Sequence, residues 1–498
     1  MYCPKCGSER MTLCKNDKSI AGRDRYRCGE CKARTTKPLT VQPQRLRKVS
    51  KVDAKRFIIT SAVNDTPIDK DVFNVLQTMS ALLDAELLVV PGVYKNPDRY
   101  HAGALDSYTW PTEVTPYIVD NNLVLNKNLT LMGAVRITHT AINPLSGMNS
   151  AAGTTSEIYG HSQVAMEMVP TPRGHHPKML VTTGTVSKPN FSGSKLGTKA
   201  RAHYTRGALY AEISGGKFWT TPLLYDKKSK SICLYNTQYY ADHAVENIEI
   251  PAVVYGDTHI RWLSKKALSA YNQIDEILQP NVEVFHDLHD HHIGSHHTHG
   301  DKIFALQKSL AKEWSIRKEL DLSVNFLRGR HNPVVIGSNH HDHLDKWFNR
   351  FRPERDPVNA ELYYELGGLL RQAPEQTLFE SYVASRLGDH VAFPEQYSIH
   401  KIHLDQHGHA GPNGARGSAK AFARSGVDTI IGHAHTPRWE KRCVQVGTSV
   451  LQVPYTGTTF SSWCMTHAVI YPNGKRGYIW IIDDKLPPTL LRGKRNEV

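Results

Sequence analysis

Short apolar runs, each released into a polar and often histidine-bearing turn, punctuate the second half of the chain. Residues 252–254, 282–285, 334–336, 399–404 and 429–431 are too short and too rich in Val and Ile to be helices, and they predict buried strands. In the first half, residues 57–60 and 86–90 predict two more strands. Between them Val72, Leu76, Met79 and Leu83 keep helical spacing, so this stretch opens a βαβ layer. Residues 129–137 and 206–213 also read as strand-rich. Ile303, Leu306, Leu310 and Trp314 repeat at helical spacing and predict a helix covering the sheet. Residues 347–371 predict a basic helical cap carrying Arg350, Arg352 and Arg355, and 449–453 and 478–482 predict strands of a second sheet.

The turns after the five strands share one chemistry. Asp257 and His259 follow the first, Asp287 and Asp290 the second, Asn339 and His340 the third, His407 the fourth, and His433 and His435 the fifth. Open α/β sheets collect ligands just beyond the carboxyl ends of their strands, so five such ends can build one site. The donors are oxygen and nitrogen without Cys. That set suits Mn, Fe, Ni or Zn better than Mg or Ca, because of the imidazoles.

Composition sharpens this picture at the N-terminus. The 498 residues are 40% apolar and 22% charged, which predicts a globular protein of two to four domains. No apolar run is long enough to span a membrane and the first residues lack the apolar stretch of a signal peptide, so the expected location is cytoplasmic. Residues 1–51 hold 14 Lys or Arg against 4 Asp or Glu, so ten of the fourteen net positive charges lie there. Cys3-x-x-Cys6 and Cys28-x-x-Cys31 are two knuckles at a spacing that can close a tetrahedral zinc site, with Cys14 to spare. Arg23, Arg25 and Arg27 beside Tyr26, and Arg45 and Arg47 in the following linker, suit phosphate contact and predict DNA as the partner. A protein-docking ribbon with a solvated basic face is the alternative.

The order Asp257-Thr258-His259, Asp287-x-x-Asp290, Asn339-His340, His407 and Gly432-His433-Ala434-His435 resembles the calcineurin-like metallophosphoesterases over roughly residues 250–482. Two positions depart from that pattern: His286 stands where the family usually has Gly, and Ser338 separates Gly337 from Asn339. The resemblance implies an α/β fold with an αββα sandwich and two divalent cations about 3.5–4 Å apart. It assigns Asp257, His259 and His435 to one cation and Asn339, His407 and His433 to the other, with Asp287 bridging. It makes His340 the general acid. Manganese is the first expectation, with Fe, Ni or Zn as alternatives, beside one structural Zn²⁺ in the ribbon. Asp290 is expected to support the ligands, and Arg438 is a candidate phosphate contact. His409 competes with His407. Most of the seven histidines between 286 and 299 are expected outside the ligand set.

The expected organisation is a zinc ribbon at 1–38, a basic linker at 39–54, a mixed α/β middle domain at 55–250, the phosphoesterase domain at 251–482 and a basic tail at 483–498. The ribbon, linker and βαβ opening together also resemble phage-encoded metallophosphoesterases that degrade host DNA, which would place the protein in host cytoplasm. The functional expectation is a two-metal phosphodiester hydrolase acting on DNA. A phosphatase or small-molecule phosphodiesterase with a protein-docking ribbon, and a DNA-binding host-takeover factor with secondary hydrolysis, are the alternatives. The oligomeric state is left open, a homo-oligomer included.

Overall fold

The computed structural model describes residues 1, 3, 8–18, 24–35, 49, 52–94, 109–172, 175, 178–295, 297–298, 300–453 and 460–493. Cys6, Arg23, Arg45, Arg47, His296 and His299 lie outside the described residues. The fold is mixed α/β. Among the described residues no helix is long and apolar enough to cross a membrane.

The N-terminal strands Met11–Lys18, Asp24–Cys28 and Arg34–Thr35 form a small antiparallel sheet, with Met11 opposite Cys28. The next strand, Arg56–Val63, is buried along its whole length and lies parallel to Glu86–Gly92. The Lys70–Leu83 helix makes the crossover, burying Val72, Val75, Leu76 and Met79. This is the expected βαβ unit. Gly207–Ser214 and Lys217–Leu224 extend it antiparallel to a four-stranded sheet.

Five strands then set the floor of the candidate site. Their order is Pro333–Val335, Glu283–Phe285, Ala252–Tyr255, Met465–Ile470 and Arg476–Ile481, with the first three parallel. Side chains alternate across the sheet. Val253 and Tyr255 join a core with Tyr271 and Ile274 of the Lys265–Leu278 helix. Ala252 and Val254 join another core with Ile402, Leu404, Ile430 and Val444. Burial on both faces is why these runs read as continuous apolar stretches rather than alternating ones. A ten-stranded sheet runs from Ser398–Ile399 at one edge to Asn122–Asn126 at the other. It carries Asp428–Ile431, Cys443–Gln445 and Arg438–Glu440 beside Ala165–Val169 and Lys178–Thr182.

Five expectations need correction. Arg476–Ile481 belongs to the five-stranded sheet, not to a second one. Residues 449–453 form no strand, because Ser449 turns its N–H to the Asp257 carbonyl at 2.8 Å. Residues 399–404 are not one strand but two, Ser398–Ile399 and Ile402–His403, turned through His400 and Lys401 at positive φ. Pro353 and Pro357 lie between two helices, Asp342–Arg350 and Ala360–Gln372, where one was expected. The Lys302–Ala311 helix exists, but its apolar row faces outward: Ile303, Leu306 and Leu310 are 71%, 60% and 76% exposed. The helix is seated through Lys308 instead, whose buried ammonium donates to the Ile293 carbonyl at 2.7 Å.

Candidate metal centre

Each predicted donor stands just past a strand end. Asp257 follows Ala252–Tyr255, Asp287 follows Glu283–Phe285, Asn339 follows Pro333–Val335, His407 follows Ile402–His403, and His433 and His435 follow Asp428–Ile431. The turns are tied to one another through the backbone. His259 N–H donates to the Asp287 carbonyl at 2.9 Å, and Gly432 N–H to the His407 carbonyl at 2.7 Å. His259, Asp287, His433 and His435 all have positive φ, between 40° and 71°. Non-glycine residues in that region cost of order 1–3 kcal/mol each and cluster where a site requires them. Gly432 is required for room: a Cβ there would lie 2.3 Å from Asp257 Oδ1.

Two donor groups meet at one carboxylate. Asp257, His259, Asp287 and His435 gather their ligand atoms within 4.8 Å of one another, and so do Asp287, His407 and His433. Asp287 is common to both. Asn339 turns a buried Oδ1 without a hydrogen-bond partner. All seven expected ligands are thus in the five turns, and His407 rather than His409 joins the second group. His409 lies beside it, its ring 5.6 Å from that of His407.

The residues fit cations. Buried polar atoms are normally hydrogen-bonded. Here Asp257 Oδ2, both Asp287 oxygens and both His407 ring nitrogens are out of solvent without a hydrogen bond of good geometry. They are nevertheless close: His407 Nε2 is 3.1 Å from Asp287 Oδ2, and His435 Nε2 is 3.0 Å from Asp257 Oδ2 and from His259 Nε2. Buried donors that converge with so few hydrogen bonds among them are what a shared cation would satisfy.

Electrostatics follow from the crowding. Burial would raise Asp257, but the His407 and His435 imidazoles outweigh it and hold the carboxyl down to about 2. Burial likewise opposes the Asp287 charge, and His407 and His340 overcome it, holding that carboxyl well below the carboxylate range. Burial and then His407 push His433 down to about 4, so it is neutral and able to ligate. His340 behaves oppositely. Burial disfavours its charge, yet Asp287 and Asp290 push it up to about 10. Its Nδ1 lies 3.1 Å from Asp290 Oδ1, and its Nε2 lies 3.9 Å from Asp287 Oδ2. Asp290 also accepts from Trp262 Nε1 at 2.9 Å, a support role consistent with its expected place.

Other residues the sequence singled out fall elsewhere. Arg438, the candidate phosphate contact, is paired with Glu440 and Glu167 at 3.1 and 3.3 Å. His286 is fully buried beside the centre, and burial pushes it down to about 3. Glu319 was not expected. It joins His289 and His291 in a third buried donor group and accepts from the His292 and Ile293 N–H groups at 2.7 and 3.0 Å. Its signal in the sequence was an acid within the buried stripe of the Ile316–Arg328 helix, between Ile316 and Leu320. In the ribbon, Cys3, Cys28 and Cys31 converge, with Cys3 and Cys31 Sγ atoms 3.6 Å apart. Cys14 is not in that group. Arg25 pairs with Asp17 at 3.1 Å, whereas Arg27 is exposed.

No family model matches the chain, and no solved structure matches it. The chain is similar to protein A1 of Escherichia phage T5, 27% identical over 460 residues that span 85% of this chain and 81% of that protein, a likeness that points to a phage-related protein.

Proposed function

We propose that this chain is a two-metal phosphodiester hydrolase acting on nucleic acid, and specifically a DNase of phage type that degrades host DNA in the host cytoplasm. The observation that carries the reading is Asp287, one buried carboxylate common to two groups of N and O donors. That pattern, on an αββα sandwich of the metallophosphoesterase kind, is how two-cation phosphoesterases are built.

Asp257, His259 and His435 would hold one divalent cation, Asn339, His407 and His433 the other, and Asp287 both. When bound, the pair supplies Lewis acidity toward phosphoryl oxygens and a nucleophile at neutral pH. The chain's own work is positioning and proton transfer. His340, protonated through its carboxylate neighbours, presents Nε2 toward the centre and would deliver that proton to the leaving oxygen. Asp290 keeps the His340 ring oriented from the opposite nitrogen. The ribbon, with its converging cysteines and exposed Arg27, would supply contact to phosphates. Similarity to a phage protein supports the setting.

The test is to strip the purified full chain, reload it with Mn²⁺, and incubate it with closed circular and linear DNA and with RNA. Cutting of closed circles is expected and would establish endonuclease action. A metal-loaded protein that hydrolyses neither DNA nor bis(p-nitrophenyl) phosphate would overturn the reading.

A further inference from the structure

A cleft of about 500 Å³ lies between the Lys302–Ala311 helix and residues 350–356, and none of the donors grouped around Asp287 lines it. Its walls are cationic and aromatic. Arg350, Arg352 and Arg355 line one side, and Phe304, Lys308 and Trp314 the other. Among the described residues, none of the three arginines has a carboxylate within 4.0 Å, and Arg350 Nε is out of solvent without a hydrogen-bond partner. The two acids on the rim are engaged: Asp301 caps its helix, accepting from Ile303 and Phe304 N–H, and Asp356 accepts from Asn359 Nδ2 at 2.8 Å. Trp314 is 36% exposed, large for an indole with no other assigned role. Phe304 already carries the Lys308 ammonium over its ring at 4.0 Å, so Trp314 is the ring left open. Unneutralised guanidinium groups beside an exposed indole suit a chain of phosphates bearing bases. Arginine takes the phosphate in a charge-assisted, bidentate bond, and a ring stacks on any base without regard to sequence.

The cleft is also connected to the candidate centre. Its wall at Ile293, Gly294 and Ser295 continues the segment that begins with Asp287, and Arg350 donates to the Gly294 carbonyl at 3.3 Å. The Asp342–Arg350 helix starts beside His340 and ends at the cleft. Its 9 residues rise about 13 Å, a distance that a short stretch of nucleic acid can bridge. The rings of His297, His343 and His340 follow one another at 5.6 and 5.0 Å along the way.

We propose that this cleft is a subsite for the single-stranded part of the substrate, holding a base on Trp314 and its flanking phosphates on Arg352 and Arg355, a short stretch of chain away from the bond that is cut. The assignment rests on the hydrolase reading for its direction toward His340, but the binding itself does not. The experiment uses the full chain with Mn²⁺ and a fluorescein-labelled, phosphorothioate-linked oligo-dT of about 20 nucleotides, whose anisotropy is followed across a salt series. In Arg352→Gln/Arg355→Gln, affinity should fall at least tenfold. The slope of log K against log salt should shrink by about 1.4, at roughly 0.7 per single-strand phosphate. Trp314→Ala should weaken binding without changing that slope. Hydrolysis of bis(p-nitrophenyl) phosphate, too small to reach the cleft, should be unchanged in both. Unchanged oligo-dT affinity and slope in the arginine pair, with unchanged affinity in Trp314→Ala, would overturn the subsite while leaving the hydrolase reading intact. Cleft-dependent binding by a protein that hydrolyses no phosphodiester would do the reverse.

Discussion

Nδ1 of His259 lies 3.2 Å from Oδ1 of Asp290, and both side chains are sealed from solvent. A carboxylate on one ring nitrogen fixes the tautomer and leaves the other, Nε2, to present its lone pair toward His435 and Asp257. The same Asp290 oxygen stands 3.1 Å from Nδ1 of His340, so one carboxylate lies against both a candidate ligand and the proposed proton donor. Asp290→Asn should therefore weaken Mn²⁺ binding by about 10–100-fold, the usual effect of losing such a partner. Calorimetric titration of the stripped protein measures it. Wild-type affinity would remove Asp290 from this role.

Asp287 and His340 should separate in their consequences. Asp287→Asn takes away a charge that both donor groups use, so metal content and turnover should fall together. His340→Ala leaves all seven donors and removes only the acid, a role worth roughly 10²–10⁴-fold in rate. Its metal content should stay at the wild-type level, and the rate loss should shrink on nitrophenyl esters, which need little protonation of the leaving group. Metal analysis beside steady-state rates on both substrates decides it. Metal loss in His340→Ala would make His340 a ligand.

The centre was legible in sequence because its donors follow strand ends, and a strand end is visible as an apolar run meeting a polar turn. Two apolar runs flanking a row at helical spacing also told the first βαβ unit. What was not legible depends on long-range packing. Ile303, Leu306 and Leu310 have the spacing of a buried face, yet Lys308 seats the helix and turns that face outward. Ser449 looks like strand sequence, but its N–H is taken by Asp257. The extent of the ten-stranded sheet was hidden for a similar reason: Trp439 pairs with Met166, a partner 273 positions earlier, and no local pattern announces such a pairing. The pairing of Arg438 with Glu167 was hidden for the same reason, since the two are equally remote in sequence.

The ribbon cysteines predict a separable metal. Cys28→Ser in the full chain should lose one equivalent of zinc, because Cys28 is buried with Cys3 and Cys31 in one donor group. The Mn²⁺ sites should be untouched. Elemental analysis of wild type and variant after reloading is the measurement, and equal zinc in the two would count against the ribbon site.

Glu283 ties stability to pH. It begins the strand that carries Asp287, is 1% exposed, and lies 3.7 Å from Arg330, which Asp275 also holds. Burial, then the Asp275 charge, pushes its carboxyl up to about 8. A carboxyl raised on folding contributes stability that is full below its ordinary value of 4.5 and is lost as pH rises through the folded value. Wild type should thus lose stability between pH 4.5 and 8 relative to Glu283→Gln, which cannot ionise. Thermal midpoints of the two, taken across that window, should show wild type falling relative to the variant as pH rises, and parallel curves would refute the shift.

Gly432→Ala should damage the centre more than the fold. The added Cβ would meet Asp257 Oδ1 at 2.3 Å and the His286 Cβ at 3.0 Å. Both neighbours are buried, so neither can swing into solvent. Asp257 also accepts the His433 N–H at 3.0 Å, so pushing its carboxylate away loosens the turn that carries His433 and His435. Overpacking of this kind costs roughly 1–3 kcal/mol. The more telling readout is linkage. A cation that binds only the folded chain raises its thermal midpoint, by an amount that grows with metal concentration over Kd. In wild type, Mn²⁺ should raise the midpoint of the stripped protein clearly. In Gly432→Ala the stripped protein should still melt cooperatively, slightly lower, while most of the Mn²⁺ increment disappears. A full increment in the variant would mean that Asp257 is not a ligand, or that its turn can move aside without disturbing the site.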